Sequence, residues 1–201
     1  WRPGVPLLDP MCGGGTVLVE AAQLAHGVAA GARREFAFQR LRQFEGVIWR
    51  KLVDAARSAE KSVVQTAIFG SDHSPSAVRA ALANLDRCGL LPAVDLRVAD
   101  VLERDAPAAA GVLVSNPPYG ERVSSSDALA AFYPLLGNAL KRRFAGWTCC
   151  LLSADGRLPG LVRLTPSKRT PLFNGALECR LYEFRMVAGS NRVAAEKPAR
   201  E

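Results

Sequence analysis

Four short apolar runs, each ending on a small, acidic or proline-bearing tip, constrain the fold of this chain more than any other feature. Val5-Pro6-Leu7-Leu8-Asp9 stops before Gly13-Gly14-Gly15, and the Ala-, Leu- and Val-rich residues 16–30 read as a helix. Residues 63–70 are β-branched and end at Gly70-Ser71-Asp72. Ser74 then offers an N-cap oxygen and Pro75 suits a first helical turn, opening a helix with Val78, Ala81, Leu82 and Leu85 inward that stops at Gly89. Residues 93–98 end at Ala99-Asp100, and Gly111-Val112-Leu113-Val114-Ser115 ends at Asn116-Pro117-Pro118-Tyr119. A helix over 128–144 leads to a fifth strand over 148–152. Strands alternating with helices imply a parallel sheet covered on both faces.

The alternation then breaks. Residues 161–173 and 176–187 read as two extended runs joined by Asn174-Gly175, a strong hairpin dipeptide. The expected fold class is therefore α/β and Rossmann-like: a mostly parallel seven-stranded sheet with a C-terminal antiparallel hairpin and helices on both faces. With 201 residues, one domain over 1–187 is expected, with an insertion at about 31–61 and a flexible polar tail over 188–201.

Composition excludes several classes. At 49% hydrophobic and 22% charged residues the chain is neither disordered nor fibrous. It has no apolar run of about 18 residues to span a membrane, and Trp1-Arg2-Pro3-Gly4 is not a signal peptide. The five cysteines (Cys12, Cys88, Cys149, Cys150, Cys179) never form a C-x-x-C pair, which argues against a disulfide framework or a zinc knuckle and for a reducing cytoplasmic compartment. No metal-ligand set is expected. Cys149 and Cys150 read as core, His26 has no visible role, and Cys12 reads as a small loop residue, since no His is expected near it to activate a nucleophile.

The net charge of +7 is unevenly placed: residues 33–61 carry +4 and 141–185 carry +6, around an acidic 62–140 with −3. A polyanionic partner and ordinary solvated helix faces both account for such blocks. Phe36, Phe38 and Phe44, set among arginines, either anchor the insertion to the core or stack on RNA bases.

Ligands of open α/β sheets bind beyond the carboxyl ends of the strands, and the unusual chemistry lies at those ends. In Asp9-Pro10-Met11-Cys12-Gly13-Gly14-Gly15-Thr16 the glycines let backbone approach a ligand, and the helix start supplies free N–H groups. A plain tight turn is the alternative. The loop is not a P-loop, since no Gly-Lys-Ser/Thr follows. Asp72 is placed either to accept both ribose hydroxyls of a nucleoside or to cap the next helix. His73 beside it edges an adenine pocket or faces solvent. Asp100 can accept a hydrogen bond from an adenine amino group, although exposed Asp at strand ends is common.

Asn116-Pro117-Pro118-Tyr119 decides between these readings. Two prolines ending a buried strand are costly unless a rigid loop is wanted. The Asn116 amide oxygen and the Pro117 carbonyl can together accept both protons of an exocyclic amine, turning its lone pair toward an electrophile. Tyr119 offers a face for an extruded base.

Together the Asp9–Thr16 loop and Asn116-Pro-Pro-Tyr-Gly-Glu-Arg122 resemble the class I S-adenosylmethionine-dependent amino-methyltransferases. Order and spacing are similar to the catalytic domain of the bacterial THUMP-associated 23S ribosomal RNA guanine-N2-methyltransferases, often labelled N6-adenine-specific DNA methylases. Val19-Glu20-Ala21-Ala22, the Arg/Phe-rich insertion and Asn174-Gly-Ala-Leu-Glu-Cys-Arg-Leu-Tyr182 add to the likeness, which runs from about residue 1 to 184. The resemblance implies that Asp9, Gly13 and Gly15 line the methionine half of S-adenosyl-L-methionine, with Pro10, Cys12 and Thr16 of the same loop also among the cofactor-binding residues. It places Asp72 on the ribose and His73 and Asp100 near the adenine. Asn116, Pro117, Pro118 and Tyr119 hold the target amine and base, with Asn116 also facing the cofactor. The implied partner is 23S ribosomal RNA, with blocks 33–61 and 141–185 as contacts. Gly14 departs from the family, where Ser is usual. Relatives also carry an N-terminal THUMP and ferredoxin-like region, for which this chain starts too late. Adenine-N6 methylation of DNA, glutamine methylation, a non-catalytic RNA-binding scaffold and a nicotinamide-dependent oxidoreductase are the competing readings.

Overall fold

A computed structural model describes residues 1–32, 34–62, 64–118 and 126–188. The elements run β1 (Leu7–Asp9), α1 (Thr16–His26), α2 (Gly46–Ser58), β2 (Ile68–Asp72), α3 (Pro75–Arg87), β3 (Val94–Val98) and β4 (Gly111–Ser115). They continue as α4 (Ser126–Arg143), β5 (Trp147–Ser153), α5 (Leu158–Leu161), β6 (Lys168–Asn174) and β7 (Leu177–Arg185). The seven strands lie in the order β3-β2-β1-β4-β5-β7-β6. The first five are parallel, and the β6–β7 hairpin joins β5 antiparallel. This is the expected Rossmann-like α/β architecture. The strand order reverses between β1 and β4, and crevices at such switch points take ligands.

The two faces bury different sets. Leu7, Leu18, Ala21, Ala22, Ile68, Ala81 and Leu85 join α1 and α3 to one face. Leu8, Leu113, Tyr133, Leu136, Leu140, Leu151, Leu158, Val162 and Phe184 join α4 and α5 to the other. Cys149 is fully buried among them.

Several elements start or stop elsewhere than the sequence predicts. α1 ends at His26 rather than at 30, because Gly27 (φ +70°) turns left-handed and returns its N–H to the Gln23 and Leu24 carbonyls. β2 begins at Ile68, not 63: β1 is three residues long and pairs only with Ile68, Phe69 and Gly70. Upstream, the Val64 N–H is instead donated to His26 Nε2 at 3.2 Å, giving that buried histidine a structural role. α3 is capped as predicted, with Ser74 Oγ accepting from Ala77 N–H and Pro75 in the first turn. Leu82 does not point inward, however; it is 37% exposed, one residue round the helix from buried Ala81. The run predicted as extended from 161 instead starts at the last residue of α5; Leu158 of that helix and Val162 just after it enter the core, and β6 begins only at Lys168.

The insertion does not anchor through the core. Phe36 and Phe38 stack at 5.3 Å between centroids, Trp49 sets its edge against both, and Phe38 meets Phe44 at 6.1 Å. α2 has no buried residue, and Val47, Ile48 and Leu52 are more than half exposed. The rings therefore pack on one another.

Candidate active site at the strand ends

Asp9 ends β1 and Ser115 ends β4. Both are buried, and Ser115 Oγ donates to Asp9 Oδ1 at 2.8 Å, tying the two strands across the switch point. The Met11 N–H donates to the same oxygen at 3.2 Å. Burial pushes the Asp9 carboxyl up to about 7; the two hydrogen bonds hold it down in part, and the nearby charge of Asp72 raises it further. A carboxyl poised there is ionised readily by a cation brought beside it.

Asp72 is the last residue of β2. Its Oδ2 accepts from Gly13 N–H at 3.0 Å and its Oδ1 from Ser74 N–H at 2.9 Å. One carboxylate thus joins the glycine loop to the start of α3. Each oxygen keeps a second lone pair for a further donor. Cys12 N–H donates to the Ser71 carbonyl at 3.0 Å, locking the loop onto β2. Burial, with Asp9 and Asp72 close by, pushes the Cys12 thiol up to about 12, so it is no nucleophile at neutral pH.

Two glycines of the loop need their identity. Gly15 (φ +82°) precedes α1, and a Cβ there would lie 2.9 Å from the Ala81 Cβ, so α1 and α3 approach closely only without one. At Gly13 (φ +52°) a Cβ would meet nothing within 4 Å, so this backbone faces open space. Gly14 needs no special identity; its carbonyl accepts from Asn84 Nδ2 at 2.9 Å. Pro10 is buried, and Thr16 is exposed at the start of α1.

The remaining candidates fall on the same edge with different degrees of engagement. His73 is exposed, its Nδ1 3.4 Å from Asp72 Oδ1. Asp100 is exposed and its Oδ1 accepts from Leu102 N–H at 2.8 Å, so one oxygen closes its own turn. Asn116 and Pro118 are exposed and Pro117 is buried. Tyr119 lies outside the described residues.

Three participants were not singled out from sequence. Ser115 is one, and a hydroxyl in an otherwise apolar strand directly before Asn116 was its signal. Tyr133, buried on α4, donates its hydroxyl to the Pro118 carbonyl at 2.7 Å and so pins the proline loop; nothing local announced it. Asn84 reaches the glycine loop from α3. Among the described residues no three His, Cys, Asp or Glu side chains converge as a metal site. No described helix is long and apolar enough to cross a membrane.

An acid-lined, glycine-walled edge suits a ligand bearing cations and hydroxyls. The chain is 37% identical over 190 residues to the Ribosomal RNA large subunit methyltransferase K/L of Shewanella baltica, covering 92% of this chain and 27% of that protein. The crystal structure of SMU.472 complexed with SAH superposes with a TM-score of 0.84 at 30% identity, covering 92% of this chain and 49% of that one. A predicted N6-adenine-specific DNA methylase from Listeria monocytogenes matches with a TM-score of 0.80 at 26% identity, over 92% of this chain and 48% of that one. The chain spans about half or less of the length of the relatives it matches. The family UPF0020 (RMKL-like, methyltransferase domain) matches residues 1–183, and this chain belongs to it.

Proposed function

We propose that this domain transfers a methyl group from S-adenosyl-L-methionine to an exocyclic amine of a nucleobase, guanine N2 of 23S ribosomal RNA being the preferred target. The observation that carries the reading is the Ser115–Asp9 bond, which places a buried carboxyl of β1 one residue from Asn116. Family membership supports methyl transfer, and the Shewanella relative's name supports ribosomal RNA.

The residues fit the cofactor. Asp9 and Asp72 supply acceptors for an ammonium and for ribose hydroxyls, and Gly13 leaves open space beside them. Gly15 and Thr16 begin α1 at the same loop, with Cys12 and Pro10 behind it, while His73 and Asp100 flank the adenine side. When bound, S-adenosyl-L-methionine supplies an electrophilic methyl on a sulfonium centre.

The chain's own work is positioning. Asn116 Oδ1 and the Pro117 carbonyl accept the two amine protons, which orients the nitrogen lone pair out of the base plane. Positive charge develops on that nitrogen during attack, so both oxygens bind it more tightly at the transition state than before it. Tyr133 holds the adjoining Pro118 carbonyl, so the loop does not relax when the amine arrives. Afterwards the extra proton leaves to water, and no general base is required. Basic blocks 33–61 and 141–185 provide the phosphate contacts.

Adenine-N6 methylation of DNA is the second reading, favoured by the name of the Listeria neighbour. Tritiated S-adenosylmethionine, offered with unmodified ribosomal RNA, duplex DNA and protein, separates the two. Label in RNA, mapped by mass spectrometry to guanine N2, is expected; label confined to DNA overturns the assignment.

A further inference from the structure

The register of the Asn174-Gly175 hairpin places its tip at the site. Ser115 of β4 pairs with Leu151 of β5, Leu151 with Tyr182 of β7, and Ser153 with Arg180. Beyond Arg180 the hairpin continues through Leu172–Cys179, Phe173–Glu178 and Asn174–Leu177. Its tip therefore overhangs the carboxyl edge on which Asn116 stands. Counting strand geometry, Phe173 sits about 10 Å beyond the level of Asn116 and about 14 Å to its side, three strand spacings away.

That tip is unusually apolar for an exposed edge. Phe173 is 75% exposed, with Leu172 and Leu177 at 40% and 47%. Gly175 (φ +63°) makes the two-residue turn tight, and Phe173 sits in β6 one residue short of the last pair before it. The pairing puts Phe173, Arg169, Arg180 and Glu178 on one face, since directly opposed and alternate residues share a side. The Arg180 guanidinium lies beside Gly156 of the turn after β5, where Arg157 pairs with Asp155. Glu178 is bound to Arg180 at 3.1 Å. Among residues 168–180, Lys168, Arg169 and Arg180 stand against the single acid Glu178, a net charge of +2.

We propose that this tip docks a single-stranded segment of nucleic acid, with the Phe173 ring stacked on a base flanking the target and Arg169 and Arg180 on nearby phosphates. The inference rests on the nucleobase-amine reading, because a strand delivering its base to Asn116 must leave the edge in some direction, and this hairpin lies along one. Charge selects a polyanion over a protein surface, and an exposed ring on a stiff turn is a sequence-tolerant stacking platform.

The test measures binding of a fluorescently labelled single-stranded RNA oligonucleotide to the full chain by anisotropy, with S-adenosylhomocysteine affinity as the check on folding. Phe173→Ala and Phe173→Leu are expected to weaken RNA binding about fivefold to a hundredfold and Phe173→Trp to restore it, with S-adenosylhomocysteine affinity unchanged. Arg169→Gln and Arg180→Gln should each lower the salt slope of binding by about one. Wild-type affinity in Phe173→Ala overturns the proposal. So does full rescue by Leu, which would mean an apolar protein contact rather than stacking. If binding depends on Phe173 but RNA is not methylated, docking stands and the methylation reading falls; methylation indifferent to Phe173 gives the reverse.

Discussion

At the carboxyl edge of the sheet, Gly13 is bonded to Asp72 fifty-nine residues away and Ser115 to Asp9 across 106. In the insertion, Phe36, Phe38, Phe44 and Trp49 hold one another between residues 36 and 49, and the Phe36 N–H is satisfied by Gln39 three residues on. The edge is assembled by the whole fold and the insertion largely by itself. Damage to the first should therefore reach cofactor binding and turnover, while damage to the second should leave cofactor binding intact.

The sharpest break of that contrast is Asn116→Ala. Turnover should fall about a hundredfold or more, the scale of a lost transition-state hydrogen bond, while S-adenosylhomocysteine affinity by calorimetry stays within about twofold. Asp9 comes next. Its carboxyl, near 7 and close to the proposed ammonium site, should make S-adenosylhomocysteine binding tighten about tenfold between pH 6 and 8, and Asp9→Asn should flatten that profile. Stability runs the other way. Because the folded value lies above the ordinary 3.8, the protonated carboxyl favours the fold at low pH, and that contribution is lost progressively as pH rises from about 4 and is gone above about 7. Denaturant melts of wild type and Asp9→Asn across pH 4–8 should show it in the wild type alone.

Gly15→Ala should cost at least about 1 kcal/mol, since an alanine is strained at φ +82° and its methyl presses on Ala81. The loss should appear in both the melting temperature and ligand affinity, as the same turn serves both. Trp49→Ala should strip hydrogen-exchange protection from 36–58 yet leave ligand affinity within about twofold and global stability changed by under about 1 kcal/mol. Loss of ligand binding in that variant would mean the insertion and the edge are one unit. Smallest of all, Leu52→Ser on the exposed side of α2 should alter stability by no more than about 0.5 kcal/mol.

The same division marks what could be read in advance. Strand ends were legible, because glycine, acid and Asn-Pro-Pro tips announce a turn whatever surrounds them, and the strand–helix order then dictates a sheet with one carboxyl edge. Partners were not legible. Val64 has strand propensity, but β1 is too short to pair with it, and His26 takes its N–H instead. Leu161 and Leu164 look extended in sequence; Leu158 and Val162, however, have a core to enter through a helical turn under α4. The exposed face of α2 shows the limit most clearly: an amphipathic period reveals that a helix has an apolar side but not what lies opposite. Ser115 and Tyr133 escaped notice for a related reason, as their bonds run to residues distant in sequence.

The Ser115–Asp9 bond has a kinetic consequence as well. β1 can pair with β2 once about seventy residues are in place, but Ser115 belongs to a strand that must cross to the opposite side of β1. Contacts of such high sequence separation bear their loop-closure cost before they return any stability, and they form slowly. A chain with β1, β2 and β3 assembled would hold Asp72 and the glycine loop yet lack β4, which brings Ser115 and the proline loop to the other side of the switch point. Such a species would be compact but would offer only one wall of the proposed cofactor site. Competence to bind would then arrive only with the last parallel pairing of the central strand, so that appearance of ligand affinity during refolding times the docking of β4 rather than the collapse that precedes it.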